Sequence, residues 1–344
     1  LGFRVLAESI QALFQAPAPE AWEAILNAPW PYAHRPPEIQ SFKPHVRVLA
    51  LADFPEEKQF LIKEEDYPEE DRRMQYGLAD HNEMFGPAIR MVREVIGFPA
   101  TLELIDVEID QEGVYRPRAI VAEPDHLIDV SAIAECFREN GAIPELYLLK
   151  KFLPFASTVA LLQGHIANFF LDELIHQTDA DFRKTFTRVF QLNPLAFALI
   201  SDHQVKTLMQ DSQRHFVNLQ QVILRDFPQL GISPKECTLE PSFYAHIYGI
   251  QGRLDAFFRT PDRSAIIELK SGKVYKPNAY GINASHFIQT LLYDLMIQSV
   301  FDRRLNTANY ILYSSQDEEP LRFAPRIRSQ QYEALQVRNQ MAAI

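Results

Sequence analysis

The stretch GRLDAFFRTPDRSAIIELKSGK, Gly252 to Lys273, decides how the chain is read. FYAHIYGIQGRLDAFFRT and SAIIELKSGK are rich in β-branched and aromatic residues, and TPDR between them predicts two strands joined in a hairpin. Glu268 and Lys270 lie two apart on the second strand, so their side chains leave the same face. Asp255 ends the polar part of the first strand and can lie across from them. Acidic side chains are seldom buried without a partner or a metal. The residues alone leave two readings open. One is an Asp–Lys–Glu salt network at a sheet edge. The other is a pair of carboxylates that hold a hard cation through oxygen, with an ammonium beside them. Such a cation lowers the pKa of bound water and neutralises charge developing on a phosphoryl oxygen. The lysine then orients or deprotonates the water, or stabilises the transition state.

The surroundings add to the second reading. Gly252 and Gly272 permit close backbone approach or unusual dihedrals. Arg253, Lys273 and Lys276 supply positive charge suited to phosphates, the alternative for the lysines being a solvated basic loop. SHFIQTLLYDLMIQSV follows as a predicted helix, on which Gln289 and Tyr293 are four apart and share a face. They can position a strand, buttress the carboxylates, or make ordinary hydrogen bonds of a covering helix. His286 caps or lines the same helix. ANYILYSS then reads as a further strand.

Upstream, LPFASTVALLQGHIANFFLDELIHQ (153–177) predicts a long apolar helix or helix pair, and helical spacing continues through RHFVNLQQVILRDFPQL to near Pro234. Helices leading into a hairpin, a helix and another strand predict a mixed-sheet α/β core. The first part of the chain differs. Prolines interrupt short helical patterns such as ESIQALFQ, KEEDYPEEDRR (63–73) reads as a charged loop or helix start, and TLELIDVEI and IVAEP read as strands around DQEGVYRPR. The expected partition is an accessory α+β region over 1–120, a catalytic core over 121–320 and a helical connector over 321–344.

Bulk properties narrow the function. At 344 residues and 47% hydrophobic, with 24 Phe and 13 Tyr, the chain has material for a full core and is not a disordered polypeptide. A net charge of -11 argues against coating duplex DNA but leaves room for a local basic path. No apolar run reaches membrane-spanning length and the N-terminus lacks the regions of a signal peptide, so no membrane partner and a cytoplasmic location are expected. Cys136 and Cys237 have no C-x-x-C partner and read as reduced core thiols. A first residue Leu and an ending QYEALQVRNQMAAI suggest a segment of a longer polypeptide, or a processed chain.

GRLD, IIELKSGK and QTLLY, in that order, resemble the PD-(D/E)xK superfamily in its RecB-like exonuclease branch, over roughly residues 130 to 315. The resemblance implies a restriction-endonuclease-like fold, a mixed β-sheet core flanked by helices. It implies Asp255 and Glu268 as ligands of Mg²⁺ or Mn²⁺, Lys270 as the catalytic lysine, and Gln289 and Tyr293 as the branch's Q-x-x-x-Y motif. The implied substrate is DNA, at single-stranded ends or flaps. Two departures stand out. The branch's G-x-x-x-H motif meets Gly164 followed by Asn168, so Asn168 is the expected third metal ligand, with His165 in reserve. Several relatives hold an iron–sulphur cluster, for which Cys136 lies near a first ligand position. No cysteine follows Cys237, so no iron–sulphur cluster is expected. The C-terminal stretch resembles the joint between such a nuclease and a superfamily 1 helicase, which makes a helicase module an expected partner. The competing expectation is a catalytically weak or inactive nucleic-acid-binding or scaffolding domain, for which Asn168 is the best argument. A third is an endonuclease acting on duplex DNA.

Overall fold

The computed structural model describes residues 38–153, 158–275, 277–301 and 306–344. The ESIQALFQ pattern and Lys276 lie outside the described residues.

Strands β1 (Ile39–Phe54), β2 (Gln59–Glu64), β3 (Tyr67–Gln75), β4 (Ala100–Asp110) and β5 (Val114–Ala122) close into a barrel in the order β1-β2-β3-β5-β4. β3 and β5 pair in parallel, and the other neighbours are antiparallel. A short helix α1 (Gly86–Met91) lies between β3 and β4. The strands predicted on either side of DQEGVYRPR form the hairpin β4–β5, but VYRPR of that separator is itself strand, since β5 begins at Val114. The hairpin turn is closed by Asp110, whose Oδ1 accepts from the backbone N–H of Glu112 at 3.0 Å and of Val114 at 2.9 Å. KEEDYPEEDRR departs from its reading as a loop or helix start. β2 runs to Glu64 and β3 begins at Tyr67, so the charges form a tight hairpin and a strand. Alternation decides this: Phe60, Ile62 and Glu64 point inward together, and Lys43 and Tyr115 hydrogen-bond the buried Glu64 carboxylate.

The second part is a mixed α/β layer structure. Strands β6 (Cys237–Leu239), β7 (Ser242–Ala245), β8 (Ile250–Arg253), β9 (Ala256–Arg259), β10 (Arg263–Lys270), β11 (Asn306–Tyr313) and β12 (Leu321–Phe323) form two groups. A five-stranded sheet has the order β12-β11-β10-β9-β6, with β10 and β11 parallel and its other pairs antiparallel. β7 and β8 form a separate antiparallel ribbon, joined in parallel by Ile128–Asp129. The continuous strand predicted through FYAHIYGIQGRLDAFFRT is therefore broken twice. The chain turns at His246–Tyr248 and left-handed Gly249 (φ 60°), then bends again at Leu254–Asp255. Gly249 is required there, because a Cβ would collide with the Arg338 guanidinium.

Helices cover both faces of the five-stranded sheet. On one side, α2 (Val159–His176) and α4 (Asp202–Gln221), with α3 (Phe182–Leu192) beside them, share a core with Ala265, Ile267 and Leu269 of β10. On the other, α5 (Ala284–Val300) packs with Ile266, and every residue from Phe287 to Ile297 is buried. α5 is the crossover that parallel β10 and β11 require. The C-terminal helix α6 (Arg328–Ala342) lies between barrel and sheet. Asn339 accepts from the Ala122 N–H at 3.0 Å and donates to the Ile120 carbonyl at 2.7 Å, while Gln331 donates to the Leu291 carbonyl at 3.1 Å. Fully buried Arg338 donates to the carbonyls of Gly249, Ala122, Glu123 and His126, and burial pushes its pKa down to about 10. One apolar core runs through barrel, α5 and α6. Among the described residues no helix is long and apolar enough to cross a membrane. Cys136 is buried in that core and Cys237 is half-buried on β6; both are free thiols.

Candidate active site

Period-two alternation places the chemistry. Ala265, Ile267 and Leu269 face α2 and α4, so Ile266, Glu268 and Lys270 face α5. Glu268 is 3% exposed. Its Oε1 accepts from Lys270 Nζ at 2.9 Å and from Gln289 Nε2 at 2.7 Å, and Gln289 Oε1 accepts from the same Nζ at 2.8 Å. These three side chains form a closed triangle. Gln289 Nε2 also donates to the Tyr293 hydroxyl at 3.2 Å, and that hydroxyl donates to the Arg253 carbonyl at 2.8 Å. The i, i+4 pair on α5 thus ties the lysine to the backbone of the GRLD segment. Asp255 sits in the bend between β8 and β9, and its Oδ2 accepts from the Leu269 N–H at 2.7 Å. Gly252 is dictated by packing, since a Cβ there would lie 2.8 Å from Tyr293 Cε1. Gly272 differs: nothing lies within 4 Å of a Cβ built on it, so the close approach anticipated there is absent.

The electrostatics are unbalanced. Burial first, and the Glu268 charge second, push the Asp255 carboxyl well above the usual carboxylate range. Burial works against the Lys270 ammonium, but Glu268 and Asp255 outweigh it and hold its pKa above the ordinary value. Glu268 Oε2 is buried with no hydrogen-bond partner among the described residues. A buried carboxylate oxygen left without a donor, next to a second carboxylate, is a costly arrangement unless a cation completes it. The donor set fits a hard divalent ion such as Mg²⁺ or Mn²⁺. Among the described residues no group of three or more His, Cys, Asp or Glu side chains gathers to hold a metal, so further positions would fall to amide or carbonyl oxygens and water.

Gly164 on α2 packs beside the end of β10, a Cβ on it lying 3.5 Å from Ser271 Oγ. Asn168, one turn on, shares that face and is half-buried, whereas His165 is exposed. Asp172, a further turn along, is half-buried, and burial and then Glu240 raise its pKa to about 6. Arg253 is exposed and pairs with Glu240 at 3.1 Å. Lys273 is exposed, and Lys276 falls outside the described residues.

Besides His286, supporting residues emerge that the sequence did not single out. Tyr313 of β11 pairs in register with Lys270. Its hydroxyl accepts from the Asn283 N–H at 3.2 Å and lies 2.9 Å from His286 Nδ1. Burial, with Lys270 nearby, pushes the His286 pKa down to about 3. Behind Lys270, Ser314 donates its N–H to the Lys270 carbonyl at 3.0 Å, and its hydroxyl meets His215 Nδ1 at 2.8 Å. Asn218 donates to the carbonyls of Ser314 at 3.0 Å and Gln316 at 2.9 Å, fixing that loop. The parallel register of β10 and β11 brings Tyr313 and Ser314 to the lysine, and nothing local in ANYILYSS reports that register.

No family model and no curated protein matches the chain. A crystal structure of a protein named "Putative exonuclease" from Eubacterium rectale is similar at 15% identity, over 63% of this chain and 80% of that one, with a TM-score of 0.42. At that distance the chemistry rests on the geometry of the site itself.

Proposed function

We propose that the chain is a metal-dependent deoxyribonuclease of restriction-endonuclease-like architecture, in the RecB-like exonuclease branch, hydrolysing phosphodiester bonds at single-stranded ends or flaps. The observation that carries this is the divided Glu268 carboxylate: Oε1 takes two donors, while buried Oε2 takes none among the described residues, and its charge acts on the neighbouring Asp255 carboxyl. Asp255 and Glu268 would hold Mg²⁺ or Mn²⁺, with the Asn168 amide oxygen as a third ligand. The ion supplies neutralisation of phosphoryl charge and acidification of water. Lys270 keeps its proton at neutral pH, so its role is electrostatic. It stabilises charge building on the phosphoryl oxygens from a position that Glu268 and Gln289 fix in advance. Tyr293 holds Gln289 in register with the GRLD backbone. Arg253 and Lys273 bind flanking phosphates, and a helicase is the partner class that would supply an unpaired strand.

A second reading, a binding domain without turnover, is favoured by Asn168 standing where the branch carries histidine. Cleavage of end-labelled single-stranded and flap DNA in EDTA, Mg²⁺ or Mn²⁺ separates the two, beside Glu268→Ala. Metal-dependent products that vanish in the variant are expected. Binding indifferent to metal, with no products from a folded wild type, would replace the nuclease reading with the binding one.

A further inference from the structure

A groove of about 350 Å³ opens at the seam between barrel and sheet, lined by His45 of β1, Ser242, Phe243 and Tyr244 of β7, His246, and Ser299 at the end of α5, among others. Ser242 and Tyr244 line it from one face of the β7–β8 ribbon. Ser242 pairs with Arg253 and Tyr244 with Gln251, so all four leave the same face of the ribbon. Tyr244 is the diagonal neighbour of Arg253, about 7–8 Å away. Arg253 does not line the groove; it lies two residues from Asp255 and its carbonyl accepts from Tyr293, so β8 leads from the ribbon face that carries Tyr244 toward the candidate active site.

The lining suits a base rather than a phosphate. Tyr244 is 65% exposed and offers an aromatic face, with two imidazoles and two hydroxyls around it. His45 is anchored through Nδ1 to buried Glu103 at 2.8 Å, which orients its ring and leaves Nε2 as its available atom. The lining residues named include no Lys or Arg. The barrel wall is also hostile to phosphate: residues 38–122 carry 18 Asp and Glu against 10 Lys and Arg. Some five-stranded Greek-key barrels bind oligonucleotides across β2 and β3. Here that hairpin carries Glu65, Asp66, Glu69, Glu70 and Asp71, which repel a phosphate track and leave the seam as the acceptable path.

We propose that this groove binds one unpaired nucleobase of a DNA strand, stacked on Tyr244, with the adjacent phosphate at Arg253. The strand then runs with its bases toward the acidic barrel and its phosphates away from it. A paired, stacked duplex end cannot place a base there, so the groove selects single strands. The inference rests on the nuclease reading for its direction along the strand, and it is tested separately from cleavage.

The test uses the full chain in EDTA, titrated with single-stranded DNA, a blunt duplex of the same sequence and the matching RNA. Tyr244→Ala is expected to raise the Kd for single-stranded DNA about tenfold, the range that base–aromatic stacking supports. Tyr244→Phe restores it, and the blunt duplex does not respond. Photo-crosslinking of 5-bromouracil DNA, read by mass spectrometry, is expected to mark β7. With Mn²⁺ present, the loss in Tyr244→Ala shows as a raised KM. A wild type that cuts DNA while Tyr244→Ala keeps its Kd and KM overturns the groove and leaves the nuclease reading standing. Tyr244-dependent binding without cleavage supports the groove while the nuclease reading fails. A dependence confined to RNA, or no binding by the wild type at all, overturns the proposal.

Discussion

Asp255→Asn should make the metal-free protein more stable while removing its cleavage activity. Asp255 is half-buried and its carboxyl feels the Glu268 charge, while its Oδ2 accepts from the Leu269 N–H at 2.7 Å. An asparagine Oδ1 can keep that bond and drop the charge. Because the folded pKa is raised, the folded protein holds a proton that the unfolded chain gives up between the ordinary aspartate value and the raised one. Stability therefore falls as pH climbs through that window, and the penalty is complete above it. Removing an active-site penalty of this kind is typically worth about 0.5–2 kcal/mol, or a Tm rise of about 1–3 °C for a chain of this size. Calorimetry in EDTA at pH 5 and pH 8 reads the effect, which should grow with pH. Mn²⁺ then reverses the order: at 100 times its Kd it adds about 2.7 kcal/mol to the wild type, and little to the variant. An Asp255→Asn protein less stable than wild type at pH 8 in EDTA, or equal stabilisation of both by Mn²⁺, would refute the reasoning.

Three further outcomes follow from other parts of the site. Lys270→Met should lower kcat by about 10²-fold or more while Mn²⁺ binding, measured by calorimetry, persists; unchanged cleavage would remove Lys270 from the mechanism. Gly252→Ala sets a Cβ 2.8 Å from Tyr293 Cε1, and overpacking of this sort costs about 1–3 kcal/mol. Urea unfolding should show that loss, and Tyr293→Leu in the same chain should recover part of it. His215 is buried with its pKa down to about 4, so between pH 6.5 and 4 the unfolded chain binds a proton that the folded one refuses. Stability falls as pH drops through that window, and His215→Gln should flatten the dependence, leaving the share that His286, with a pKa of about 3, contributes.

What was legible in the sequence was local. Glu268 and Lys270 share a face because a strand alternates, and Gln289 and Tyr293 meet because a helix repeats near four residues; both periods are written in short windows. Three other features were not. The break at His246–Gly249 is enforced by Arg338, some ninety positions away, whose guanidinium fills the space a side chain at Gly249 would need. The charged run from Lys63 to Arg73 became a hairpin because Glu64 found Lys43 and Tyr115 across the barrel. Tyr313 reached Lys270 through a parallel pairing made after an intervening helix. In each case the deciding partner is remote in sequence, where pattern carries no information.

The choice of a neutral amide at Gln289 has a consequence for the lysine. Burial is the largest influence on Lys270 and acts to deprotonate it; the charges of Glu268 and Asp255, with the Glu268 hydrogen bond and Tyr313, keep the ammonium in place. When those charges are neutralised their support weakens, and a lysine held by carboxylates alone would lose both its position and its proton affinity together. Gln289 separates the two. Its Oε1 holds Nζ at 2.8 Å without adding a unit charge that would lock the proton on, and its Nε2 steadies the same Glu268 oxygen that the lysine uses. A glutamate at 289 could accept from the lysine but not donate to Glu268. It would place a third carboxylate in the cluster and raise the Lys270 pKa further. The amide thus fixes the ammonium position before the site is filled, without adding a third negative charge to the Asp255–Glu268 pair.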